Sequence, residues 1–108
     1  MKSVQVLLAL YNPNENYLIK QLDSINHQTY QDVEVLIFDD GHNEYPVNHN
    51  LIKDHLTNVP YSILPNREKN IGYVLALQNL IEHSTADILA FCDQDDIWMP
   101  EKLETCVQ

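Results

Sequence analysis

Three carboxylates fall within four residues, at Asp93, Asp95 and Asp96, and their flanks decide what they can do. Before them runs Ile88-Leu89-Ala90-Phe91-Cys92, an unbroken apolar segment of the kind that forms a strand buried on both faces. After them comes Ile97-Trp98-Met99-Pro100-Glu101, where Pro suits a first helical position and an acidic residue suits a first turn. The acidic group thus stands where a buried strand leaves its sheet, and open α/β sheets bind ligands at that end. Carboxylates gathered there repel one another unless a positive charge holds them; a divalent cation with oxygen ligands does so. Without that context the same residues read as a polar turn that stops a strand and caps a helix.

A second acidic pair, Asp39-Asp40-Gly41, ends the apolar run Val33–Phe38. Asp-Gly is a common turn dipeptide. A carboxylate at a strand end also accepts hydrogen bonds from a nucleobase N–H or a ribose hydroxyl. Asp40, beside the glycine, is the expected ligand group, and Asp39 is expected to serve the loop itself. Tyr11-Asn12 follows a first apolar run and reads either as part of the same crevice or as an Asn-Pro turn that opens a helix. Arg67 and Lys69, near Asn70 and Gly72, form the basic stretch beside a predicted helix start. They are either solvated loop charges or partners for a diphosphate. Trp98 is expected to pack beneath the Asp93–Asp96 loop, with stacking on a sugar face as the alternative.

The elements that position these groups alternate between two periodicities. Strands are expected at Val4–Leu10, Val33–Phe38, Tyr61–Leu64 and Asp87–Cys92. Helical spacing of Leu18, Leu22 and Ile25 continues to about Gln28. A short helix is expected around Asn48–Leu56, and a last one begins near Pro100. Between them Val74, Leu77, Leu80 and Ile81 mark a helix, with all four expected to face the core. Alternation of this kind implies right-handed βαβ crossovers, so the fold class is α/β: a Rossmann-like, mostly parallel sheet with helices on both faces. A flavodoxin-like layout is the alternative, and it needs a fifth strand that the sequence does not display.

At 108 residues the chain forms one domain, 1–108, and 44% hydrophobic content is enough for a core. Sixteen acidic against 6 basic residues give a formal charge of −10. No cluster of cations is available to neutralise nucleic-acid phosphates or an anionic membrane. A phosphate-bearing ligand would therefore need a metal ion to bridge like charges. Cys92 and Cys106 lack metal or redox spacing, and two reduced thiols in a cytoplasmic protein is the simple reading. His27, His42, His49, His55 and His83 are scattered, which disfavours zinc. No apolar run is long enough to span a bilayer.

Taken in order, Val6–Asn12, Gln28-Thr29-Tyr30, Asp39-Asp40-Gly41, Asn70-Ile71-Gly72 and Phe91-Cys92-Asp93-Gln94-Asp95-Asp96 resemble the N-terminal half of family 2 glycosyltransferases of the GT-A fold. The Cys92–Trp98 stretch is similar to that of bacterial rhamnosyltransferases and related capsule or O-antigen transferases. The resemblance implies strand order 3-2-1-4 and, as donor, a UDP- or dTDP-sugar bound with Mg²⁺ or Mn²⁺ for transfer to a saccharide acceptor. It places Leu10, Tyr11, Asn12 and Asp40 at the base, Asp93 near the ribose, Asp95 on the metal and Arg67 near the phosphates. It also implies an acceptor-binding half, carrying the general base, beyond the residues that match. The chain is accordingly expected to be the donor-binding half, inactive alone and dimerising through surface uncovered near Ile88–Cys92. The rival from another class is a receiver-like phosphoacceptor module, which also gathers acidic residues at strand ends.

Overall fold

The longest apolar runs take the middle of the sheet. The computed structural model describes residues 2–41, 48–67, 69–93 and 96–107. In it β1 (Val4–Leu10) and β2 (Val33–Asp39) are buried along almost their whole length. The shorter β3 (Tyr61–Ile63) and β4 (Ile88–Cys92) form the edges. The order is β3-β2-β1-β4 and every pairing is parallel, as the resemblance implies. Register then gathers the chemistry. Leu10 lies opposite Asp39 and Leu8 opposite Cys92, so Tyr11, Asp40 and Asp93 leave the sheet at one edge.

Side chains of a strand alternate between faces, and the two faces receive different helices. Val4, Val6, Leu8 and Leu10 point to one core with Leu18, Leu22 and Ile25 of α1 (Glu15–Asn26), Ile52 of α2 (His49–His55) and Leu103 of α4 (Lys102–Val107). Leu7, Leu36 and Phe38 meet Ala76 and Leu80 of α3 (Tyr73–Glu82) on the other face. Asn14 starts α1 by accepting from the backbone N–H groups of Asn16 and Tyr17 at 2.9 and 3.3 Å. Gln5, the polar residue inside β1, donates to Glu34 at 2.6 Å and accepts from Thr85 N–H at 2.8 Å. It thereby ties β1 to its neighbour and to the turn before β4.

One expectation fails. Val74 and Ile81 do not face the core: they are 74% and 43% exposed, whereas Ala76, Asn79 and Leu80 are buried and Leu77 is half-buried. Helix α3 is apolar nearly all round, so its spacing alone does not fix its rotation. Close approach to the sheet selects the face with the small Ala76 one turn before Leu80. Among the described residues no helix is long and apolar enough to cross a membrane.

Candidate functional site at the carboxyl edge of the sheet

A cleft of about 710 Å³ opens where β1, β2 and β4 end. Its floor is Ala9, Leu10 and Ala76; Tyr11 and Asp40 form one side, and Gly72, Tyr73 and Asp93 close the other. Three of the expected loops therefore do converge, and with them Leu10, Tyr11, Asp40 and Asp93. Asn12 adjoins them in the left-handed region with φ 43°.

The second acidic pair divides its work. Asp39 accepts from Gly41 N–H at 2.8 Å, a local turn contact, as expected. A Cβ on Gly41 would lie 2.9 Å from both Asn12 Oδ1 and Asp39 Oδ1, so a larger residue there would displace the ends of these two side chains. The Asp40 N–H donates to Leu10 C=O at 2.7 Å. Its buried carboxylate receives Ile71 N–H at 2.8 Å and Gly72 N–H at 3.0 Å. Gly72, at φ 84°, opens α3 with no side-chain cap. Asp40 thus fixes the entry of α3, which is one wall of the cleft. One acceptor direction on each of its oxygens remains for a ligand.

Across the cleft Asp93 is exposed and accepts from the Tyr73 hydroxyl at 2.5 Å. That bond, then partial burial and the charges of Asp93 and Asp96, raise the Tyr73 phenol above its ordinary 10.0, so it keeps its proton. Asp93 N–H donates to Asp96 Oδ2 at 3.1 Å and Asp96 N–H to the Asp93 carbonyl at 2.9 Å. From inside, the Gln21 amide donates to the same carbonyl and to Cys92 Sγ. Burial pushes the Cys92 thiol up to about 12, against the lowering effect of the Gln21 amide. Trp98 is 9% exposed and packs in the α1-side core rather than in the cleft, with Lys102 Nζ 5.9 Å from its ring centre.

Sequence reasoning passed over Tyr73 and Gln21. The signal for Tyr73 was its place directly after Gly72 at a helix start. For Gln21 it was a polar residue inside the stripe Leu18, Leu22, Ile25. Conversely, Arg67 is not brought to the cleft: its guanidinium donates to Asn79 at 2.9 Å and lines a separate depression on the flank of α3. Asp95, the expected metal ligand, lies outside the described residues. Among the described residues no three of His, Cys, Asp and Glu gather around one point. A Mg²⁺-type ion needs no such set, being held through one or two carboxylates plus substrate phosphates. Exposed Asp93 and Asp96 supply the hard oxygen donors that suit it.

Residues 5–108 match the family described as glycosyl transferase family 2. The chain belongs to this family. Among curated relatives, an uncharacterized glycosyltransferase of Nostoc sp. is 30% identical over 97% of the chain and 32% of its own length. The amylovoran biosynthesis glycosyltransferase AmsE of Erwinia amylovora is 32% identical over 92% of the chain and 37% of its own length. The chain thus spans about a third of these relatives. Among solved structures, the mannosyltransferase PcManGT from Pyrobaculum calidifontis, in complex with GDP-Man and Mn²⁺, superposes with TM-score 0.84 at 22% identity, covering 98% of the chain and 31% of that protein. TarS of S. aureus in complex with UDP gives TM-score 0.80 at 19% identity, covering 97% of the chain and 31% of that protein. These two likenesses establish the GT-A fold, and family membership displaces the receiver-like alternative.

Proposed function

We propose that this family 2 domain binds a nucleoside-diphosphate sugar in the cleft between Asp40 and Asp93, as the donor side of an inverting glycosyltransferase. The observation that carries the reading is that one parallel-sheet edge joins a buried, backbone-bonded carboxylate to an exposed one across about 710 Å³. The base lies against Leu10, Tyr11 and Asn12 and takes the remaining acceptor directions of Asp40. A ribose hydroxyl donates to Asp93, beside the Tyr73 hydroxyl. Asp95, with Asp93 and Asp96 nearby, would hold Mg²⁺ or Mn²⁺. That ion supplies offset of negative charge on the leaving diphosphate. With a formal charge of −10, the chain itself is poor in groups that could do so. Arg67, tied to Asn79, holds α3 rather than the phosphates.

An acceptor hydroxyl, deprotonated by a base outside the residues described, would displace the diphosphate at the anomeric carbon. The rhamnosyltransferase-like Cys92–Trp98 segment favours a dTDP- or UDP-sugar as donor, and a saccharide of a surface polysaccharide as acceptor. We place the enzyme in the cytoplasm. Isothermal titration with UDP, dTDP and GDP, each with Mn²⁺ and again after chelation, tests the reading. Binding that falls at least about tenfold on chelation is expected, a difference of about 1.4 kcal/mol. Affinity unchanged by chelation would remove the metal from the site, and no binding to any nucleotide would remove the site.

A further inference from the structure

Helix α1 contributes nothing to the lining of the cleft, yet it grips the segment that carries the acidic group. Its stripe of Leu18, Leu22 and Ile25 is completed by Gln21, whose side chain is fully buried. A leucine there would pack without an orphan polar atom, whereas Gln21 Oε1 is buried with no hydrogen-bond partner. The amide nitrogen, in contrast, reaches two acceptors: the Asp93 carbonyl and Cys92 Sγ, the latter at 3.2 Å. Of the two ends of the amide only the N–H₂ can donate to a carbonyl, so these contacts fix the orientation of the amide and leave the oxygen over. Packing therefore does not account for this residue, and its bond to Asp93 does.

The same helix end holds the segment again further on. Gln28 donates to Met99 C=O at 2.8 Å and accepts from Leu103 N–H at 3.0 Å, and Thr29 N–H donates to Pro100 C=O at 2.9 Å. Asp93 is thus anchored from below by Gln21, and its carbonyl also takes Asp96 N–H. Its side chain is left to enter the cleft toward Tyr73.

We propose that Gln21 is a positioning residue for the metal–nucleotide site. Its amide sets the direction in which the chain leaves β4, and so aims the Asp93 carboxylate. This rests on the reading that Asp93 and its neighbours receive a metal-bound nucleotide. Gln21→Met keeps the volume and deletes both donated bonds; Gln21→Leu is the second variant. Each is titrated with UDP in the presence and absence of Mn²⁺, and Mn²⁺ retention with UDP is followed by electron paramagnetic resonance.

The variants are expected to fold, to lose about tenfold or more in Mn²⁺-dependent affinity, the scale for residues that orient metal-site groups from outside, and to lose less in metal-free affinity for UDP, where only the ribose contact of Asp93 is disturbed. Equal losses with and without Mn²⁺ would mark a general structural role and overturn the proposal. So would unchanged Mn²⁺ retention in a parent that binds Mn²⁺–UDP, or failure of both variants to fold. A parent that binds neither Mn²⁺ nor UDP would overturn the functional reading itself, and this inference with it.

Discussion

Asp40→Ala separates the structural duty of this carboxylate from anything it does for a ligand. The substitution leaves Ile71 N–H and Gly72 N–H without the acceptors they now have at 2.8 and 3.0 Å. Hydrogen bonds to a charged group contribute about 1.5–3 kcal/mol each. Asp40 is buried but its partners lie at a cleft that water can enter, so about 2–4 kcal/mol in total is the reasonable scale. For a domain of this size that lowers the melting temperature by roughly 8–24 °C. The loss should come with loosening of α3, because Gly72 at φ 84° has no side-chain cap to replace Asp40. Calorimetry gives the first quantity, and amide exchange at Ala76 and Leu80 the second. Asp93→Ala, at an exposed position with one hydrogen bond from Tyr73, is the control and should move stability by no more than about 1 kcal/mol. A melting temperature for Asp40→Ala within 3 °C of the parent, roughly 0.5 kcal/mol, would refute the tethering of α3 by this residue.

Thiol reagents at pH 8 should modify exposed Cys106 and spare buried Cys92 until the chain is denatured; two equally fast equivalents would contradict this burial. Because folding raises the Cys92 thiol from 9.0 to about 12, the stability it contributes is whole below pH 9 and is lost as pH rises toward 12. Cys92→Ala should flatten that alkaline decline, and an unchanged slope would argue against it. Of the 6 tyrosines, Tyr73 should ionise above 10.0 in a spectrophotometric titration and return toward it in Asp93→Ala. A phenol indifferent to that substitution would mean the 2.5 Å bond is not made. Edge strand β4 leaves Phe91 50% exposed, and sedimentation should find self-association that Phe91→Glu abolishes. A monomer at high concentration would count against it.

Much of this fold was legible because its strands are long apolar runs that end abruptly in acid. Val33–Phe38 and Ile88–Cys92 stop at Asp-rich loops, and parallel register then brings those loops together without further information. The rotation of α3 was not legible, since Tyr73, Val74, Leu75 and Ile81 give it apolar character on the exposed side as well. Nor was the position of Arg67. In the sequence Arg67 stands close to Asn70 and Gly72 at a predicted helix start, but only the fold shows Asn79 within 2.9 Å of it. Gln21 and Tyr73 escaped for a related reason: their partners, Asp93 and Cys92, are distant in sequence and become neighbours only through the β1–β4 pairing. Asp40 showed its place at the cleft, but its bonds to Ile71 and Gly72 needed the third dimension.

The most direct test of nucleotide binding in this cleft is an amide-resolved NMR titration with UDP and Mg²⁺, repeated with a trace of Mn²⁺ as a broadening agent. Shifts are expected at Leu10, Tyr11, Gly72 and Tyr73, with Mn²⁺ broadening strongest around Asp93 and Asp96. Shifts confined to the α3 flank at Arg67 and Gln78, or to the groove beside Trp98 and Cys106, would contradict it.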